Sequence, residues 1–294
     1  MLFRSSPGSQ YLASASLDGQ IFLWSREDDF TNLIELEHES KQPILALAFS
    51  PNGQYLAAAD IDGQVFLWSL TGKLLKTFRY QGDVPASFSS VFESNSIFTM
   101  QFSPDSSLLA FAGATGVVQV QNIVKDTVRW LSDHDGGTFQ ISFSSDGATL
   151  ASASEDGTVK LWGLRRQPGK ELIYTLRGHQ GPVYRVRFSP NDDVLATGGA
   201  DGIVRLWLRD KGVQIDAFEG HDDEIASLDF ASKPTLGYQS VLVSASDDGE
   251  IRIWNIDSPI HPLPHNSHVF DVAFRPDGRV IAAAGVHNIL LWRP

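Results

Sequence analysis

Residues 150–164 read LASASEDGTVKLWGL, and close copies stand at 12–24 (LASASLDGQIFLW) and 242–254 (LVSASDDGEIRIW). The kernel is an Asp-Gly pair, an alternating apolar run and a Trp. It recurs as DGQIFLW (18–24), DGQVFLW (62–68), DGTVKLW (156–162), DGIVRLW (201–207) and DGEIRIW (248–254). Two worn copies, TGVVQVQ (115–121) and VHNILLW (286–292), complete a series of seven. The units end near Trp24, Trp68, Gln121, Trp162, Trp207, Trp254 and Trp292. A period of roughly 45 residues belongs to a propeller blade and not to a helical solenoid.

Each unit reads physically as four short antiparallel strands. Asp-Gly between two alternating runs makes a tight hairpin, because Gly takes positive φ without steric cost. A second turn lies upstream, as FSPNG (49–53), FSPDS (102–106), FSSDG (143–147), FSPND (188–192) and FRPDG (274–278). Pro suits its early position and Asp or Asn can bond its own backbone there. An alternating strand such as VYRVRF (183–188) precedes that turn, and a looser strand such as KELIYTLRGH (170–179) follows the Trp. No helical period interrupts the pattern. The expectation is an all-β, seven-bladed β-propeller of four-stranded antiparallel blades, residues 1–294 forming a single domain. Both ends are abrupt, so the first and last blades are expected to be incomplete, and a sequence cut from a longer protein is one account of them.

Composition narrows the function. The net charge is −12 in 294 residues, and an acidic surface repels phosphate backbones and anionic lipid. Nucleic acid and membrane are therefore not expected as partners. With no cysteine there is no disulfide, no thiolate metal site and no cysteine nucleophile. The N-terminus has no apolar run of signal-peptide length, and no stretch could span a bilayer as a helix, so a cytoplasmic location is expected.

The GH steps, the FSPDG-type turns and the DG-x-V-x-L-W hairpins together resemble WD-repeat β-propeller proteins over essentially the whole sequence, in a style similar to bacterial, particularly cyanobacterial, members. His134, Ser152, Asp156 and Trp162 recur in register as His179, Thr197, Asp201 and Trp207, and again as His221, Ser244, Asp248 and Trp254. His, Ser and Asp invite comparison with a hydrolytic triad, but an active site occurs once, whereas this set is stamped into consecutive units. In the family resembled, the four side chains form a buried hydrogen-bonded tetrad, which implies a structural role. Blade 2 keeps Asp62 and Trp68 but has Ala58 for the hydroxyl, with His38 two residues out of register. Blade 3 has Phe111, Thr115 and Gln121 and no histidine in register, so it is expected to lack a network, and Thr115 to matter little. Blade 7 keeps His265 and Trp292.

The resemblance also implies a docking face, the rim where the loops entering the innermost strands meet the Asp-Gly hairpins. One residue past each strand-opening apolar position stand Leu45, Phe98, Phe139, Tyr184 and Phe270. One residue before the hairpin Asp stand Leu17, Ile61, Glu155 and Asp247, with Glu224 nearby. Four aromatics at one register exceed what a solvated rim needs. Packing against neighbouring blades is the competing account. Insertions at 79–96, 231–240 and 258–268 are candidate functional loops. His261, His265 and His268 could suggest a metal, but their prolines and the lack of nearby carboxylates favour a solvated loop, and no metal or cofactor is expected. No unique nucleophile, carboxylate pair or phosphate loop stands out. The reading is a non-catalytic protein–protein interaction scaffold that takes a protein or peptide with a basic segment and no small-molecule ligand. The alternatives are a regulatory or sensor propeller of a longer effector protein, and a propeller-fold hydrolase or lyase.

Overall fold

In the structure the repeated Trp always pairs with the same position of the preceding strand, an aliphatic residue. Leu12 pairs with Trp24, Leu56 with Trp68, Leu150 with Trp162, Leu195 with Trp207, Leu242 with Trp254 and Ile281 with Trp292; Leu109 pairs with Gln121 where the Trp is lost. A one-residue slip would turn every side chain to the wrong face, so this shared register fixes the second and third strands of all seven sheets.

A computed structural model describes residues 2–28, 31, 33–80, 95–232, 241–255, 258–264, 268–275, 280–285 and 289–292. The first sheet comprises β1 (Leu2–Ser5), β2 (Tyr11–Ala15), β3 (Ile21–Ser25) and β4 (Leu33–Glu35). The second comprises β5 (Ile44–Phe49), β6 (Tyr55–Asp60), β7 (Gln64–Ser69) and β8 (Leu74–Arg79). The third has β9 (Ile97–Phe102), β10 (Leu108–Gly113), β11 (Val118–Asn122) and β12 (Thr127–Leu131). The fourth has β13 (Thr138–Phe143), β14 (Thr149–Ser154), β15 (Thr158–Gly163) and β16 (Leu172–Arg177). The fifth has β17 (Val183–Phe188), β18 (Val194–Gly199), β19 (Val204–Leu208) and β20 (Val213–Phe218). The sixth has β21 (Ile225–Phe230), β22 (Val241–Ser246), β23 (Glu250–Asn255) and β24 (Ser258–Pro264), and the last β25 (Val269–Phe274), β26 (Ile281–Gly285) and β27 (Ile289–Trp292). Strands follow one another antiparallel in sequence order within each sheet. This is the all-β architecture of a seven-bladed β-propeller. The end blades are the thinnest: the first has outer strands of 4 and 3 residues, and the last has three strands among the described residues.

The protein divides into two compact units, residues 1–148 with 164–171, and residues 149–163 with 172–294. In the first unit Val65, Leu67, Leu109, Phe111 and Ile97 share one apolar cluster, and Ile21, Leu23, Leu56, Phe66 and Trp68 another. In the second, Leu161, Val186, Leu195 and Trp207 pack together, as do Leu206, Ile225, Leu242 and Trp254. Each such side chain contributes about 1.5–3 kcal/mol by leaving water. Polar latches join the outer strand of one blade to the turn after the third strand of the next. Within the first unit Lys76 donates to Ile123 O (2.9 Å) and pairs with Asp126 (2.6 Å), and Arg129 donates to Leu164 O (2.9 Å). Within the second, Tyr174 donates to Asp210 O (2.7 Å).

Blades 5 and 6 carry the expected tetrads. Trp207 Nε1 donates to Thr197 Oγ1 (2.8 Å), which lies 2.7 Å from His179 Nε2, and His179 Nδ1 lies 2.9 Å from Asp201. In blade 6 Trp254 Nε1 donates to Ser244 (2.8 Å), with His221 2.7 Å from Ser244 and 2.8 Å from Asp248. In blade 4 Trp162 donates to Ser152 (2.8 Å) and His134 is buried. An aspartate only accepts, so each Nδ1 carries the proton and Nε2 accepts from the hydroxyl. Burial would raise the Asp201 carboxyl, but the bonds from His179 and Gln180 and the Arg205 guanidinium 2.7 Å away outweigh it and hold it well below the usual carboxylate range. Burial is likewise outweighed at Asp248, which is lowered by Glu250 N–H, His221 and Asp222 N–H. Burial pushes His221 below the ordinary imidazole value.

Blades 2 and 3 depart from the sequence reading. In blade 2 His38 packs at a tilt on Phe66 (ring centroids 4.7 Å and planes 45° apart) and bonds Gly19 O (2.8 Å), while Trp68 donates to Glu37 O (3.3 Å). Fully buried Asp60, not Asp62, accepts the hairpin N–H of Gln64 (2.8 Å). Blade 3 has a network after all, supplied from the connection after β8. The Tyr80 hydroxyl donates to Val117 O (2.6 Å) and accepts from Gly113 N–H (3.1 Å) and from the buried Thr115 hydroxyl. Burial pushes Tyr80 up to about 12, against the lowering by the Thr115 and Gly113 bonds. Thr115, expected to be dispensable, also accepts Val117 N–H (3.3 Å).

Thr115→Ala should therefore cost about 1–3 kcal/mol, because it strands a buried N–H. Exposed Thr127→Ala in the same blade should stay within about 0.5 kcal/mol. Equal urea midpoints for the two variants would show that the Tyr80 network holds nothing. A second outcome concerns pH. A folded His221 value below the unfolded one adds stability that is present above about 6.5 and lost as pH falls through that value. Depressed Asp201 and Asp248 add stability that is lost only below about 4. Urea midpoints should fall in two steps on acidification, and a flat profile between about pH 7.5 and 5 contradicts the first.

Candidate functional site

The innermost strands share a defect. Pairing slips by one residue between Ile44 and Ala46, between Val183 and Arg185, between Ile225 and Ser227, and between Val269 and Asp271. In blade 3 Ala112 pairs with Thr99 and Gly113 with Ile97. The residues left over are Leu45, Tyr184, Ala226, Phe270 and Phe98. A β-bulge leaves its extra residue out of the ladder and re-aims it. The register singled out from sequence is thus a bulge position.

Two groups of the expected residues come together, each within one unit. In the first unit Phe98 and Phe139 stack with centroids 6.0 Å apart and planes 18° apart, and both are half-buried. In the second, Tyr184 lies among three carboxylates. Burial, then the charge and hydrogen bond of Glu224, then Asp247 and Glu155, push its hydroxyl up to about 12. The loop entering β21 is bound to the hairpin of its own sheet, with Asp247 N–H donating to Glu224 O (3.2 Å) and Ser246 to Asp223 O (3.0 Å). It also covers the preceding hairpin: Gly202 has φ 68°, and a Cβ there would sit 2.9 Å from His221 O and Asp223 O. Phe270 (55% exposed) and Leu17 (65% exposed) face solvent, while Leu45 and Ile61 are half-buried.

Sequence reasoning missed a layer of charge beside this group. Arg185 follows the bulge, and burial, then Arg187, lower its guanidinium, against Asp271, Glu224 and Asp247, which raise it. Burial raises Asp229 despite Arg187 and the Phe274 N–H that it accepts (2.9 Å). Ser227 donates to Asp271 (2.7 Å). In the first unit Phe143 N–H donates to Gln101 Oε1 (3.0 Å). Arg185 and Arg187, alternating through VYRVRF, were the available signal.

Among the described residues no group of three His, Cys, Asp or Glu is placed to hold a metal, and no helix is long and apolar enough to cross a membrane. The side chains of His261 and His265, residues 81–94 and residues 233–240 lie outside the described residues. A cavity of about 340 Å³ lined by Phe274, Arg275, Val280, Ala282 and Leu291 sits in the last blade and is apolar. It gathers none of the site residues expected from the sequence.

Repeated sheets with Trp–hydroxyl–His–Asp networks define a WD-type propeller. The family model described as WD domain, G-beta repeat matches residues 3–25, 31–69, 170–207, 212–255 and 257–292, and the protein belongs to this family. A model described as Vps42 beta-propeller matches residues 84–186. Periodic tryptophan protein 2 of Arabidopsis thaliana is 27% identical over 187 residues, 62% of this sequence and 20% of that protein. Protein transport protein SEC13 of Chaetomium thermophilum is 39% identical over 82 residues, 25% of this sequence and 26% of that protein. WD repeat-containing protein 1 of Xenopus tropicalis is 36% identical over 84 residues, 26% of this sequence and 13% of that protein. The alignments thus span about a quarter or less of these relatives. All three are eukaryotic, so the bacterial, cyanobacterial-type resemblance finds no support in them.

In an absorbance titration read before alkaline unfolding, Tyr80→Phe and Tyr184→Phe should each remove one tyrosinate step near about 12. A Tyr184→Phe variant that loses a step at about 10 instead would mean that neither burial nor the carboxylates act on the hydroxyl.

Proposed function

We propose that the protein is a non-catalytic, cytoplasmic interaction scaffold, one domain over residues 1–294, that binds a protein or peptide on the side where the inner strands bulge. The bulges carry this reading, because they put Phe98, Tyr184 and Phe270 out of the ladder at equivalent positions in three blades. Aromatic side chains offer large contact area at low entropic cost. Glu155, Glu224 and Asp247 around Tyr184 favour a basic segment, and charge of this kind acts mainly on encounter rate and selectivity. Leu17, Leu45, Ile61 and Phe139 complete the proposed contact set.

A peptide array probed with the purified protein should select sequences that place Lys or Arg beside an apolar residue. Phe98→Ala with Phe139→Ala, and separately Tyr184→Ala, should each weaken the selected peptides about thirtyfold, the cost of a central anchor. Added salt should slow association. Asn52→Ala, in a turn at the other end of its strands, should bind as wild type. Peptides that survive the aromatic changes and are lost with Asn52→Ala would place the docking face elsewhere.

A further inference from the structure

Four connections between first and second strands share one geometry. A serine hydroxyl donates to the Asn or Asp two residues on: Ser50 to Asn52 (2.7 Å), Ser103 to Asp105 (2.6 Å), Ser144 to Asp146 (2.6 Å) and Ser189 to Asn191 (2.7 Å). The same Oδ1 accepts the N–H of Gln54 (3.0 Å), Ser107 (3.0 Å), Ala148 (2.9 Å) or Asp193 (3.3 Å). The next residue has positive φ, 67° at Gly53, 61° at Ser106, 63° at Gly147 and 60° at Asp192. Its N–H donates to the serine carbonyl at 2.8–2.9 Å in all four.

Asn52–Gly53 is the one Asn-Gly step in the sequence. A glycine leaves its backbone nitrogen uncrowded, and a Cβ at Gly53 would meet nothing within 4 Å. We propose that Asn52 is a deamidation site gated by its turn. The Gly53 nitrogen attacks Asn52 Cγ and loses its proton. The new C–N bond closes a succinimide as the bond from Cγ to Nδ2 breaks, and the amide nitrogen leaves as ammonia. Water then opens the ring: cleavage at Cγ gives aspartate, and cleavage at the backbone carbonyl gives the β-linked isomer.

The closed turn blocks the first step. Asn52 Oδ1 is held by Ser50 and Gln54, and Gly53 N–H is committed to Ser50 O, so the nitrogen and Cγ react only when the turn opens. The turn also discriminates between products. Asp105 and Asp146 already place a carboxylate on the same two donors, and the Ser103 and Ser107 bonds hold Asp105 below its ordinary value. The aspartate form therefore closes again. The β-linked form lengthens the backbone and forfeits closure, together with the bond from Asn52 N–H to Ser106 Oγ (3.0 Å) that ties this turn to the next.

The test is peptide mapping by mass spectrometry of the whole protein incubated at mildly alkaline pH, folded and in urea, with Asn191 as internal control. Folded wild type should convert Asn52 more than about tenfold slower than the unfolded form, because reaction waits on local opening. Folded Ser50→Ala, which lacks the hydroxyl that donates to Asn52 Oδ1 and accepts the Gln54 and Tyr55 N–H groups, should convert it about fivefold faster than folded wild type. Asn52→Asp should melt as wild type. Equal rates in folded and unfolded wild type overturn the proposal, and so does a folded Ser50→Ala no faster than wild type. If Ser50→Ala does not fold, the wild-type comparison and the Asn52→Asp melt decide alone.

Discussion

Much of the local structure follows from one constraint: a buried Trp N–H must be answered. In blades 5 and 6 the hydroxyl that accepts it has its own proton to place and gives it to histidine Nε2, and the other histidine nitrogen donates to aspartate. Only one tautomer completes the series, and a buried polar series stabilises only when complete. It ties the loop entering the first strand to the second strand, the third strand and the hairpin between them. The loop so anchored leads straight into the bulge. Stability and the aim of the bulged residue are therefore consequences of the same bonds.

Where the sequence breaks the series, the molecule meets the same requirement differently. Blade 2 sends the Trp68 proton to a backbone carbonyl and turns His38 into a ring that packs on Phe66. Blade 3 has Gln121 in place of the buried Trp, but its hairpin still needs a tie, and Tyr80 reaches in from the preceding connection. Neither solution was legible from spacing. A tetrad shows itself because its members sit at fixed offsets within one repeat. Tyr80 acts on groups more than 30 residues away, and no offset within a repeat announces it. Asp60 replaces Asp62 for a related reason: both stand close to the Gly63 turn, and only burial decides between them.

Register was the most readable feature of all. Alternation plus the Asp-Gly hairpin located the second and third strands, and the Leu–Trp pairings match that reading in blades 1, 2, 4, 5 and 6. Counting one residue beyond the strand-opening apolar position also found Leu45, Phe98, Tyr184 and Phe270, although not the bulge that makes them special. A bulge is a property of pairing between two strands, and one strand's sequence does not contain it. The stacking of Phe139 on Phe98 was hidden for the same reason, since it joins residues about 40 positions apart.

The charges around Tyr184 set a further condition on what can bind there. Glu224 and Asp247 act on Tyr184 and also on Arg185, the next residue along the strand. Those carboxylates therefore act both on a tyrosine left out of the ladder and on the desolvated guanidinium that follows it. Their negative potential is thus partly answered from within, while Glu155 adds to the charge around Tyr184. On the proposed reading, a basic partner must compete with Arg185 for Glu224 and Asp247. Competition of that kind lowers affinity for any stray cation and leaves the advantage to ligands that also cover the aromatic ring. In a protein of net charge −12, whose whole surface attracts cations weakly, such a rule is what would separate a specific partner from the background.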